Sequence, residues 1–95
     1  MPTYIGLLNW TDQGIKGLKD TIKRVENAKA LARKLGGKLD VHYTMGEYDA
    51  VSVVEMPSDE AYNKFALQMG ALGNMRSKTM KAWTIEEFQK LVDQI

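Results

Sequence analysis

The chain has 95 residues, 44% of them hydrophobic, with 13 Lys plus Arg against 12 Asp plus Glu and a formal net charge of +1. These proportions fit one small globular domain over residues 1–95 that carries no strong bias toward acidic or basic partners. No run approaches the ~18 apolar residues that span a bilayer, no signal-peptide pattern is read at the start, and the absence of cysteine excludes disulfides, thiolate metal sites and cysteine nucleophiles. The cytoplasm is the expected compartment.

In chain order, Thr3-Tyr4-Ile5-Gly6-Leu7-Leu8-Asn9-Trp10 is apolar and suited to a pleated surface, so it predicts a strand that stops at Thr11-Asp12-Gln13-Gly14. From Asp12 to Leu35 the apolar positions Ile15, Leu18, Ile22, Val25, Ala28, Ala32 and Leu35 recur every three or four residues. That spacing predicts one long helix, ended by Gly36-Gly37. Lys38 to Met45 alternates polar and apolar, the pattern of a half-buried strand at or near a sheet edge. After Gly46-Glu47-Tyr48-Asp49, the β-branched run Ala50 to Met56 completes a hairpin that Pro57 closes. Ser58 caps a helix that carries Tyr62, Phe65, Met69 and Leu72 on one face up to Gly73. Met75 to Trp83 is a basic strand, and Thr84 with Glu87 forms a capping box for a terminal helix striped by Phe88, Leu91, Val92 and Ile95. The methionines at 45, 56, 69, 75 and 80 are expected largely in the core as gap fillers.

The order βαββαβ with an added α predicts a ferredoxin-like α+β domain with a four-stranded antiparallel sheet and the first and third strands central. Strand parity puts Ile5, Leu7, Val51 and Val53 on one face and Tyr4, Leu8, Trp10, Ala50, Val54 and Met56 on the other. Two helices cover one face only, so the second apolar face predicts a face-to-face dimer, or a larger homo-oligomer.

Several residues are candidates for chemistry. His42, the sole histidine, cannot build a histidine metal cluster and no metal site is expected; on the polar side of its strand it is a solvated residue or, alternatively, a general base at an intersubunit cavity. Tyr48 and Asp49 lie in a junction loop from which they reach a ligand or simply shape a turn, and with His42 they are the candidate catalytic groups. Tyr4, Trp10, His42, Tyr43 and Tyr48 are the candidate ligand-binding residues, because small-molecule sites are aromatic pockets with a few polar groups. The Asn9 to Gly14 segment offers helix-terminal amides to an anionic group or to a cap, but it lacks the glycine spacing of a nucleotide loop, and no cofactor is expected. Eight basic residues from Lys16 to Lys38 face only Asp20 and Glu26, but the third strand has no aromatic for base stacking, so nucleic acid is a minor alternative partner.

The blocks Leu8-Asn9-Trp10-Thr11-Asp12-Gln13-Gly14, Thr44-Met45-Gly46-Glu47-Tyr48-Asp49, Glu55-Met56-Pro57-Ser58-Asp59-Glu60-Ala61 and Leu72-Gly73-Asn74 resemble the GYD domain family across nearly the whole chain, with Gly46, Tyr48 and Asp49 as the naming signature. The resemblance implies a ferredoxin-like, oligomeric domain without an established activity, and it carries over no catalytic residue. The leading expectation is an oligomer that binds a small organic molecule in an intersubunit cavity. The alternatives are a cofactor-independent oxygenase or isomerase of the dimeric α/β-barrel type, by analogy of fold, and a structural or interaction module or weak nucleic-acid binder acting through the basic first helix.

Overall fold

The computed structural model describes residues 1–95. Strand β1 (Thr3–Trp10) leads through the short helix α1 (Asp12–Lys16) and a 3-10 turn (Leu18–Asp20) into α2 (Thr21–Lys34). The hairpin β2 (Lys38–Tyr43) and β3 (Ala50–Glu55) follows, then α3 (Asp59–Ala71), β4 (Met75–Ala82) and α4 (Ile85–Asp93). The sheet order is β2-β3-β1-β4, with every neighbouring pair antiparallel, which is the ferredoxin-like arrangement with β1 and β3 central. No helix is long and apolar enough to cross a membrane.

The expected single helix over residues 12–35 is broken at Gly17. The Arg24 guanidinium reaches back and donates to the carbonyl oxygens of Gly14 at 3.1 Å and Gly17 at 2.7 Å. It fills the space where a side chain at residue 17 would stand, since a Cβ there would collide with its Nη2. The break turns the first half of the apolar stripe outward: Ile15, Leu18 and Ile22 are exposed, while Ala28 and Ala32 are buried. The stop of α2 follows expectation. Gly36 adopts φ +90° and Gly37 donates back to the Ala32 carbonyl, a left-handed glycine stop.

Other boundaries differ from expectation for similar local reasons. β2 ends at Tyr43 because Thr44 turns its hydroxyl to the Tyr48 carbonyl and its amide to that of Asp49, closing a loop in which Met45 is 99% exposed. Met80 is exposed as well, and of the methionines only Met56 is fully buried, so their expected place in the core is corrected. The expected caps agree with the structure: Ser58 accepts from the Ala61 amide, and Thr84 and Glu87 form a reciprocal capping box.

The core is small and sits toward one end of the layer between sheet and helices. Tyr4, Leu39, Val54 and Met56 meet Ala28, Ala32 and Phe65. At the N-terminus of α3, the Tyr4 hydroxyl donates to Asp59, whose carboxylate also pairs with Lys81 at 3.0 Å. The Tyr4 ring stacks on Tyr62 at 4.1 Å. The molecule measures 17 Å along its shortest axis, the depth of two layers, so nothing in the chain covers the far face of the sheet. That face carries Ile5, Leu7, Val51, Val53 and Met80, with the charged residues Lys38, Asp40 and Lys78 and the imidazole of His42 among them.

Candidate functional site

The sheet is built in cross-strand rows, and the row beyond the core is unusually small. Register places Leu39, Val54, Tyr4 and Lys81 side by side across the four strands on the helix-facing side. Two residues further along, the row is Val41, Ser52, Gly6 and Thr79. Gly6 contributes no side chain and Ser52 only a hydroxyl, so the first row fills the space under the helices and the second does not. The row after that, Tyr43, Ala50, Leu8 and Ser77, again has Ala50 at a central strand. Above, α2 presents the small Ala28 and α3 the small Ala66 and Gly70.

The result is a cleft of about 360 Å³ between the sheet and the two helices. Its α2 wall is Thr21, Arg24, Val25 and Ala28, its α3 wall Tyr62, Phe65, Ala66 and Met69, and its floor includes Leu8, Trp10, Ser52 and Thr79. Apolar walls carrying a few polar groups are the usual make-up of a small-molecule site. The hydroxyls run as a chain along one side: Tyr62 to Thr79 at 3.0 Å and Thr79 to Ser77 at 3.0 Å. Across the cleft, Thr21 and Tyr43 hydroxyls meet at 2.7 Å, and the Tyr43 ring stacks on Trp10 at 6.1 Å between centroids.

The lining holds no Asp, Glu, His or Lys. The strongest proton-affinity shift in the chain lies just outside it, at Tyr4, whose hydroxyl is pushed up to about 12 by burial and then by its bond to the Asp59 carboxylate. Asp59 is held below its ordinary value, first by the Tyr4 hydroxyl and then by Lys81. This arrangement latches α3 onto β1 and β4.

Of the residues singled out in the sequence, Trp10 and Tyr43 line the cleft. Tyr4 lies in the adjoining core and supports the wall through Tyr62. His42 points from β2 to the opposite, helix-free side of the sheet, two residues along from the Lys38 and Asp40 pair, so it cannot touch a molecule held in the cleft. Tyr48 lies outside the cleft with Lys78 Nζ 5.9 Å above its ring. Asp49 accepts from the Trp10 amide at 2.9 Å and from Asn9 Nδ2 at 3.4 Å, and its own amide donates to the Leu8 carbonyl. His42 and Tyr48 therefore stand outside the cleft, and Asp49 acts by fixing Trp10. At the start of α1 the Gly14 amide donates to Thr11 Oγ1, and the amide of the capping residue Thr11 donates to the Asn74 carbonyl. No three His, Asp or Glu side chains come close enough together to hold a metal. Sequence reading missed Ser52, Thr79 and Arg24 as lining groups, because their convergence depends on register and on the broken helix.

The family model described as the GYD domain matches residues 4–92. The chain belongs to the GYD domain family. Among functionally curated proteins none matches this GYD chain. Solved structures give its fold company: HapK from Hahella chejuensis, at 17% identity and TM-score 0.62, is covered over 93% of its length by 90% of this chain. TTHA0845 from Thermus thermophilus is 21% identical with TM-score 0.55, over 88% of this chain and 95% of that one. A mutant of MhuD with two manganese protoporphyrin IX molecules bound per active site is 13% identical with TM-score 0.55, over 90% of this chain and 95% of that one. At these identities the likeness is one of fold, and it agrees with the ferredoxin-like topology read from strand order.

Proposed function

We propose that this GYD domain binds a small, mostly apolar organic molecule in the cleft between α2, α3 and the sheet, and that two copies pair through their open sheet faces. The cleft carries the reading: about 360 Å³ lies over the small row Val41, Ser52, Gly6 and Thr79, a volume within the range of small-molecule sites. The cleft is bounded by one chain, so the expected intersubunit cavity is not needed to form it. A ferredoxin-like neighbour, MhuD, is described with a porphyrin in its active site, which supports a cofactor-sized ligand on this architecture. Binding is favoured over acid–base catalysis because the lining offers hydroxyls, an amide and guanidinium groups but no carboxylate or imidazole. Pairing is supported by the helix-free face, where Val53 is 36% and Met80 49% exposed beside Ile5, Leu7 and Val51.

The test is a Ser52→Leu variant, which replaces the hydroxyl lying against Gly6 with a bulkier apolar group on the cleft floor. With N-phenyl-1-naphthylamine as a neutral fluorescent probe, the wild-type chain is expected to bind one equivalent, and the variant to lose at least ~10-fold in affinity while keeping a cooperative melt. A correctly folded variant that binds as tightly as wild type would overturn the reading.

A further inference from the structure

The cleft is electrically lopsided. Arg24 and Arg76 both line it, no carboxylate does, and neither guanidinium has a carboxylate within salt-bridge distance anywhere in the chain. The chain as a whole is nearly neutral, so this concentration of positive charge is local. Both arginines reach the same end, Arg24 from α2 and Arg76 around the edge strand β4 from its helix-free side, where residue 76 pairs with Asn9. Arg24 holds the Gly14 and Gly17 carbonyls, Gly14 packs directly on the Asn74 backbone, and Arg76 reaches the Gly70 carbonyl from two residues beyond Asn74.

Donor capacity is left over at that end. A guanidinium has five N–H groups, and Arg24 commits two nitrogens to backbone carbonyls. The Arg76 contacts, at 3.4 and 3.3 Å, are at the weak limit of hydrogen bonding. The indole Nε1–H of Trp10, a residue that also lines this end because it pairs with Met75, has no acceptor but is shut away from the cleft as well as from solvent, so it adds no donor for a ligand. Acceptors are scarce here, since the Asn74 side-chain oxygen is already taken by Gln13 Nε2 at 2.9 Å. The Arg24 guanidinium is half-buried, and without a counter-charge it is costly unless something negative completes it, whereas Arg76 is exposed and offers its donors freely.

We propose that the ligand of this cleft is an anion: an apolar, planar body lying toward Phe65 and Ser52, with a carboxylate or comparable acidic oxygen group held by Arg24 and Arg76. This rests on the cleft being a binding site, and it adds the chemical class and the two specificity-determining residues. Arg24 also ties the ligand site to the fold, because the same side chain holds the break between α1 and α2.

The experiment uses two probes of nearly identical shape, 2-naphthoate and 2-naphthamide, each displacing bound N-phenyl-1-naphthylamine. Naphthoate is expected to bind at least ~10-fold tighter than naphthamide, the scale of a charge-assisted hydrogen bond. The preference should vanish in Arg24→Gln with Arg76→Gln, while naphthamide affinity holds and so reports an intact cleft. Because Arg24→Gln can loosen α1, Arg76→Gln alone is measured too, with the preference expected to fall several-fold. Equal displacement by the two probes overturns the anion proposal and leaves the cleft as a neutral-ligand site. A preference that survives in both variants overturns the assignment to these arginines. If the fluorescent probe itself does not bind, the binding reading fails and the anion proposal with it.

Discussion

The Asp49 carboxylate and its amide tie the loop over residues 44–49 to the end of β1. Losing its oxygens leaves the half-buried Trp10 amide without an acceptor. Asp49→Ala is therefore expected to cost about 1–3 kcal/mol in urea unfolding and to weaken probe binding through a loosened Trp10, with Asp49→Asn losing less of both. A second residue-scale prediction concerns the Tyr4 and Asp59 pair. Tyr4 titrates higher folded than unfolded, so its contribution is complete below about pH 10 and is lost as pH rises toward 12. Asp59 titrates lower folded than unfolded, so its contribution is present above its ordinary 3.8 and is lost as pH falls below that. Tyr4→Phe should lower the melting temperature by ~5 °C near neutral pH and flatten the decline at both extremes, which a series of melts across pH checks. Aromatic content and loop position led the sequence reading to Trp10 and Tyr43. Strand parity also put His42 on the face of Lys38 and Asp40, where the structure has it, whereas the loop residue Tyr48 has no periodicity from which its place could be read.

At the scale of elements, periodicity located every strand and the helices after the hairpin, since a two-residue or three-to-four-residue repeat is a local signal. The break between α1 and α2 is not local. The pattern of Ile15, Leu18 and Ile22 continues through Gly17, and the break there goes with the return of Arg24 onto the Gly14 and Gly17 carbonyls and with Gly14 packed on the Asn74 backbone. The cleft was hidden for a related reason. Gly6, Ser52 and Thr79 lie far apart in sequence, and their alignment in one row exists only once register is set. Parity told which residues share a face, but not which of them stand side by side.

For the whole molecule, the two-layer build leaves one sheet face open with an apolar centre, and the proposed pairing of two copies through that face gives a direct prediction. Leu7→Glu with Val53→Glu places charges at its centre, and light scattering should then report a monomer where a dimer is expected of the wild-type chain, with the cleft still binding its probe. A wild-type monomer at micromolar concentration would count against pairing. The terminal helix α4 belongs to this scale as well. It has nine residues, a capping box at its start, and an apolar stripe of Ile85, Phe88, Leu91 and Val92 that is exposed throughout. Helices of that length do not hold in water by themselves, because nucleation costs more than a few propagated turns return. Its order must therefore be borrowed from whatever surface it meets, so in dilute solution this segment should fluctuate between coil and helix. Its amide exchange would then serve as a local gauge of assembly.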